Sequence, residues 1–265
     1  MDTGIQELSV TSLAGDTDIG YIKMGSGPAL VIVPGALGVA MDWSLVARLL
    51  GDRVTCYPID RRGKGRSDLG AGYSMESEAA DVKAVLDAAG PDAALLGHSS
   101  GALVALETAR RYPMRKLIIY EPPFYYNGLE VDALMARYSA KLEEGGNESA
   151  IDLFCRDELM MNDDQIAFMC TTPAWGVLTT LAPTLPEEWK AIWKFNPQVK
   201  DYADLAMPVL FLTGSMTEDN PSYATNELVE LLPDARKVVM PGNGHMAHLG
   251  APEMVAEEIV KFLIG

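Results

Sequence analysis

Histidine and cysteine are both scarce in this chain, with three of each among 265 residues. Cys56, Cys155 and Cys170 are odd in number, widely spaced and without a C-x-x-C pair, which argues against a disulfide framework and a thiolate metal site. Reduced thiols are expected, with no metal and no cofactor. Basic residues are few as well: 21 lysines and arginines stand against 37 aspartates and glutamates, a formal charge of -16. A surface of that sign repels phosphate backbones and anionic membranes, so neither nucleic acid nor a membrane is an expected partner. No apolar run is as long as a bilayer span. Met1 to Val10 carry Asp2 and Glu7 and no apolar stretch, unlike a signal peptide, and the expected location is the cytoplasm. Internal repeats and low-complexity tracts are absent too.

What is present is core-forming material. A hydrophobic content of 48% suffices for one large domain with an inserted subdomain. Ile5–Thr11 and Ile19–Met24 read as strands of an antiparallel hairpin around the polar turn Ala14-Gly15-Asp16. From Pro28 onward, short apolar strands alternate with helices. The strands are expected at Ala29–Val33, Val54–Ile59, Ala93–Leu96, Lys116–Tyr120, Pro208–Thr213 and Lys237–Met240. The helices are expected at Asp42–Leu50, Glu76–Ala89, Leu103–Arg111, Tyr223–Leu231 and Pro252–Leu263. Continuously apolar strands between amphipathic helices imply an α/β fold with a mostly parallel central sheet covered on both faces. Residues 124–206 break the alternation. They contain no convincing strand and read as helices interrupted at Gly145-Gly146, Pro173, Pro183 and Pro186, too long for a plain loop. The division expected is a core of 1–123 with 207–265 and a helical cap of 124–206 over the strand C-termini.

Within that pattern, Gly97-His98-Ser99-Ser100-Gly101 fits G-x-S-x-G, a serine on a sharp turn between a strand and a helix. Bulky neighbours at Gly97 and Gly101 would collide with the adjoining strand and helix. The serine hydroxyl is thereby exposed beside a helix N-terminus, whose free N–H groups suit a developing oxyanion. Four further blocks accompany it: Val33-Pro34-Gly35-Ala36, Asp60-Arg61-Arg62-Gly63-Lys64-Gly65-Arg66-Ser67, Leu212-Thr213-Gly214 and Gly244-His245. Together and in this order they resemble the α/β-hydrolase fold superfamily, over nearly all of the chain outside the cap. The resemblance is specific for the fold and far less so for the reaction.

A serine hydroxyl needs a base, and only three histidines are available. His98 precedes the serine and is expected to point away from it, in a packing role. The superfamily's histidine follows the last strand on a Gly-rich loop, which His245 matches. His248 reads as packing or as a contact behind His245. In most relatives the acid follows the penultimate strand as Gly-x-x-Asp, but here the segment is Gly214-Ser215-Met216-Thr217. Glu218 and Asp219 come slightly later. Some relatives carry the acid one strand after the nucleophile, where Glu121 stands at the end of Ile118-Ile119-Tyr120, and Glu121 is favoured over Asp219. A buried carboxylate there is tolerable with a histidine partner.

The resemblance also implies an oxyanion hole from the N–H groups of Ser100 and Ala36. Pro34 stands where relatives commonly have histidine, which alters whatever braces that loop. The Asp60–Asp68 segment does not have P-loop spacing, and the resemblance implies that it packs beneath the site and braces neighbouring turns. The cap's Met135, Met160, Met161, Met169, Trp175, Trp189 and Trp193 offer apolar surface. Substrate contacts are expected from Met160, Met161 and Trp175, and from Trp43, which reads equally as helix packing.

The expectation is a cofactor-independent serine hydrolase acting on a carboxylic ester or lactone of a neutral, fairly apolar small molecule. A carbon–carbon bond hydrolase acting on a diketone would use the same triad. A non-catalytic ligand receptor would share the fold. Oligomeric state is not legible, and a homodimer stays open.

Overall fold

A computed structural model describes residues 4–15, 17–124, 128–159 and 161–265. Strands β1 (Gln6–Thr11) and β2 (Asp18–Lys23) form the antiparallel hairpin, with Ser9 opposite Gly20. Isolated bridges Tyr21–Ile59 and Met24–Cys56 tie it to the main sheet. That sheet contains β3 (Ala29–Val33), β4 (Thr55–Pro58), β5 (Ala94–His98), β6 (Leu117–Tyr120), β7 (Val209–Gly214) and β8 (Ala235–Met240). All six run parallel in the order β4-β3-β5-β6-β7-β8.

The buried strands are apolar on both faces because helices cover both. α1 (Ser44–Leu50) and α10 (Pro252–Ile264) pack on one face, where Trp43, Val46, Leu50, Val255 and Ile259 meet Leu30, Ile32, Leu96, Ile118, Leu210 and Leu212. α2 (Met75–Ala89) and α3 (Ser100–Arg111) pack against each other and against β3, and α3 also against β5 and β6. Alternation along the strands directs Val31, Leu95 and Ile119 to that second face. Short α8 (Thr225–Leu231) connects β7 to β8, and α9 (Ala247–Gly250) precedes α10.

Strand order decides where chemistry can occur. From β3 the chain moves outward to β4, then crosses back to β5 on the other side of β3. The chain thus leaves β3 toward one side of the sheet and β5 toward the other, the topological switch at which open α/β sheets place their ligand sites. Ala36 follows β3, Ser99 follows β5, Glu121 follows β6, Thr217 follows β7 and His245 follows β8. One edge of one sheet thus carries every polar candidate from the larger unit.

The chain divides into two compact units, 1–124 with 195–265, and 125–194. The smaller one contains α4 (Gly128–Asp157), α5 (Asp163–Cys170), α6 (Pro173–Leu181) and most of α7 (Leu185–Phe195). The interruptions in its sequence have local consequences. Gly146 kinks α4 at φ 72°, and Pro173 stands in the first turn of α6. Its own core includes Tyr138, Ile151, Phe154, Leu185 and Trp189. Residues 195–206, placed by sequence in the inserted segment, group instead with the larger unit. The reason is packing: Tyr202 is buried edge-on against Phe124, with ring centroids 6.0 Å apart.

Candidate active site

Ser99 lies at the N-terminus of α3 with φ 55° and ψ -129°, a conformation that costs a non-glycine residue energy. Its neighbours leave little room. A Cβ on Gly97 would come within 2.4 Å of the Gly101 carbonyl oxygen, and one on Gly101 within 2.3 Å of the Pro34 carbonyl oxygen. A Cβ on Gly35 would come within 2.9 Å of Ser99 Cβ, so the loop after β3 lies directly against the serine.

Two acceptors brace that loop where Pro34 replaces histidine. Val39 N–H donates to Asp42 Oδ2 at 2.9 Å, and Ala40 N–H donates to Asp60 Oδ1 at 2.8 Å. The Ala36 N–H has no hydrogen-bond partner among the described residues. Ser100 begins α3, and its Oγ accepts from Arg61 Nη1 at 2.9 Å. Arg61 forms a buried two-pronged pair with Glu78 at 2.7 and 2.8 Å, and Arg62 does the same with Asp81 at 2.8 and 2.9 Å. The Asp60–Asp68 segment thus braces both the loop after β3 and the start of α3.

His245 is held from four directions. Its ring Nδ1 lies 2.6 Å from Glu121 Oε2. Its face stacks on Tyr223, with centroids 5.2 Å apart and planes 11° from parallel. Its carbonyl accepts from His98 Nε2 at 2.9 Å. The residues flanking it, Gly244 through its carbonyl at 2.5 Å and Ala247 through its N–H at 3.1 Å, both bond the Tyr120 hydroxyl. His98 thus holds the loop that carries His245. Sequence alone gave His98 no more than packing, and gave Tyr120, Tyr223 and Thr217 no part in the site. The one signal available was Tyr120: a tyrosine ending a buried strand needs a partner for its hydroxyl.

Glu121 is fully buried at φ 47°. Its Oε1 accepts from Gly214 N–H at 2.8 Å, Thr213 Oγ1 at 3.1 Å and Thr217 Oγ1 at 2.5 Å. Burial alone raises its pKa, but His245, the Thr217 hydroxyl and the Gly214 N–H outweigh burial and hold it below the ordinary carboxylate value. An ionised carboxylate only accepts, so His245 Nδ1 must carry the proton. The lone pair of Nε2 is then left to accept. Asp219, by contrast, is exposed, and Glu218 pairs with Lys237 at 2.6 Å. The structure places neither against His245 Nδ1.

The other two histidines are buried and neutral. Burial, then the neighbouring His245 and His248, pushes His98 well below the usual value. Burial, then His245, pushes His248 down to about 3. His248 stacks on Trp43, with centroids 4.7 Å apart and planes 13° from parallel. Trp43 is fully buried in the sheet core, which makes it helix packing and not a pocket wall. Among the described residues no hydrogen bond joins Ser99 Oγ to His245; such contacts commonly tighten only with substrate bound. Met161 and Trp175 are half-buried in the smaller unit, and Met160 lies outside the described residues.

The model of the alpha/beta hydrolase family matches residues 30–258. The chain belongs to that family. Among curated hydrolases it is 27% identical to a 2-(acetamidomethylene)succinate hydrolase of Mesorhizobium japonicum, over 93% of each chain. It is 38% identical to an N-formylmaleamate deformylase of Pseudomonas putida over 109 residues, 39% of this chain and 41% of that one. Among solved structures, an alpha/beta hydrolase from Sphaerobacter thermophilus superposes with a TM-score of 0.82 at 30% identity, covering 96% of this chain and 99% of that one. The fold is also that of a thermophilic esterase from Thermogutta terrifontis, with a TM-score of 0.73 at 22% identity, covering 97% of this chain and 98% of that one.

Proposed function

We propose that this alpha/beta hydrolase cleaves a carboxylic ester or lactone of a neutral, fairly apolar small molecule through an acyl-enzyme on Ser99. His245 Nε2 takes the Ser99 proton as the hydroxyl attacks the carbonyl carbon, then delivers it to the leaving oxygen. Glu121 keeps the imidazole in the accepting tautomer and offsets the charge that develops on it. The Ala36 and Ser100 N–H groups receive the oxyanion, a term commonly worth about 3 kcal/mol per donor. Water activated by His245 then releases the acyl group. No cofactor takes part in these steps.

The observation that carries the reading is the 2.6 Å contact between Glu121 Oε2 and His245 Nδ1, on a histidine whose loop is tied down from both sides. It leaves Nε2 free to act as a base. A second reading has one specific support: the M. japonicum and P. putida relatives are named for substrates whose acyl group is carried on nitrogen. The same residues serve that case, with His245 protonating a leaving nitrogen.

A fluorophosphonate probe followed by peptide mass mapping tests the proposal, together with steady-state assays on nitrophenyl esters, lactones and N-acyl compounds. Expected are labelling at Ser99, multiple turnover on at least one ester or lactone, and loss of both in folded Ser99→Ala. Labelling without turnover of any panel member would make the protein a receptor. Turnover of N-acyl compounds alone would select the second reading.

A further inference from the structure

We propose that Thr217 is a positioning residue: its hydroxyl fixes the Glu121 carboxylate so that one oxygen is committed to the backbone side and the other to His245. The inference rests on the triad reading above and adds a residue to it. Three donors converge on Oε1, from Thr213, Gly214 and Thr217, while Oε2 meets His245. Of the three, Thr217 makes the shortest contact, at 2.5 Å. Its single proton has a competing acceptor, the Gly214 carbonyl, at 3.2 Å. That carbonyl already receives the Thr217 N–H at 3.1 Å, whereas the carboxylate is charged and nearer, so the hydroxyl donates to Glu121.

The turn that carries Thr217 is bonded to the loop that carries His245. Ser215 N–H donates to the Met240 carbonyl at 3.0 Å and Met216 N–H to the Asn243 carbonyl at 2.9 Å. A Cβ on Gly214 would come within 2.2 Å of that Asn243 oxygen, so this approach leaves no room for a side chain. Thr217 therefore moves with the histidine loop and reaches back to the acid on β6. It adds a link between the acid after β6 and the loop after β8, beside the Glu121–His245 contact and the Tyr120 hydroxyl.

Isosteric variants separate the hydroxyl from the methyl. Thr217→Val keeps the shape and removes the donor; Thr217→Ser keeps the donor and removes the methyl. A carboxylate short of one donor is more basic, which raises both its own proton affinity and that of the His245 pair. The acid limb of kcat/KM should therefore move to higher pH in Thr217→Val. The other titratable groups facing this pair are Tyr120 and Tyr223, with His98 and His248 behind His245, and none changes in either variant. With an activated ester as the probe, Thr217→Val should lose roughly 10- to 100-fold in kcat with little change in KM, as expected for a hydrogen bond to a charged group. Thr217→Ser should stay within about threefold of wild type, on the same scale of hydrogen-bond energies. If Thr217→Val does not fold, Thr217→Ala against Thr217→Ser reads the same difference. Wild-type rates and an unshifted acid limb in Thr217→Val, or a serine variant worse than the valine one, would overturn the inference. Fluorophosphonate labelling of Ser99 in each variant keeps this failure apart from failure of the triad itself.

Discussion

Glu121→Gln should be more damaging than the loss of one charge suggests, and the reason is the crowd of donors on Oε1. A glutamine carries one accepting oxygen and one donating nitrogen. Gly214 N–H, Thr213 Oγ1 and Thr217 Oγ1 all approach the Oε1 position, so the amide oxygen must stand there. The amide nitrogen is then left 2.6 Å from His245 Nδ1, where only a lone pair can receive it. That reverses the tautomer: the ring proton moves to Nε2, which then no longer accepts a proton. Loss of the correct tautomer in a serine triad costs on the order of 10⁴ in turnover, about 5 kcal/mol. Glu121→Ala imposes no tautomer and should be no worse than Glu121→Gln, despite removing more atoms. The assay is turnover of one activated ester by purified, folded variants, with Asp219→Asn and Glu218→Gln as controls that keep activity. A near-active Glu121→Gln, or an inactive Asp219→Asn, would refute the reasoning.

Other outcomes follow from the same contacts. His245→Ala should approach Ser99→Ala in severity while His248→Ala remains far more active, because His248 is stacked on Trp43 and only His245 meets Glu121; steady-state rates on the same ester decide the ranking. Acid should destabilise the protein early. His98 and His248 have folded-state values depressed by burial, so below the ordinary value of 6.5 the unfolded chain binds protons that the folded one refuses. Each should cost about 1.4 kcal/mol per pH unit below 6.5, before protonation of Glu121, whose folded value is lowered from 4.5, adds its own loss. Denaturant titrations at several pH values between those two should show stability falling less steeply with acid in His248→Phe than in wild type.

Regular elements were legible because burial on both faces writes itself into a strand as an uninterrupted apolar run. Leu30-Val31-Ile32-Val33 and Leu117-Ile118-Ile119-Tyr120 are such runs, and both are strands in the sheet. The elbow at Ser99 was legible for a steric reason, since its glycines have no room for a Cβ. The acid was harder. Glu121 and Asp219 both stand near strand ends, and only the fold tells which reaches His245 Nδ1. The partners of the braces around His245 and Glu121 were not legible. Thr217 bonds a residue 96 positions away, Tyr120 a loop 124 away and His98 one 147 away, and no local pattern encodes such pairs. Trp43 illustrates the opposite error. A tryptophan following an oxyanion loop suggests a pocket wall, yet its ring fills the space between α1, His248 and the sheet. The 195–206 stretch was misplaced for a similar reason: it has no strand, and its allegiance is decided by where Tyr202 finds a partner.

The central claim is that Ser99 becomes covalently acylated during turnover. Rapid acid quench of the enzyme with an activated ester, followed by intact-mass and peptide mass spectrometry, observes that species directly. A mass increase equal to the acyl group, on the peptide containing Ser99, formed within one turnover and decaying at the steady-state rate, is the result expected. Folded Ser99→Ala should show no such adduct. Full turnover with no adduct at any quench time, or an adduct on another residue that forms and decays at the catalytic rate, would contradict the account.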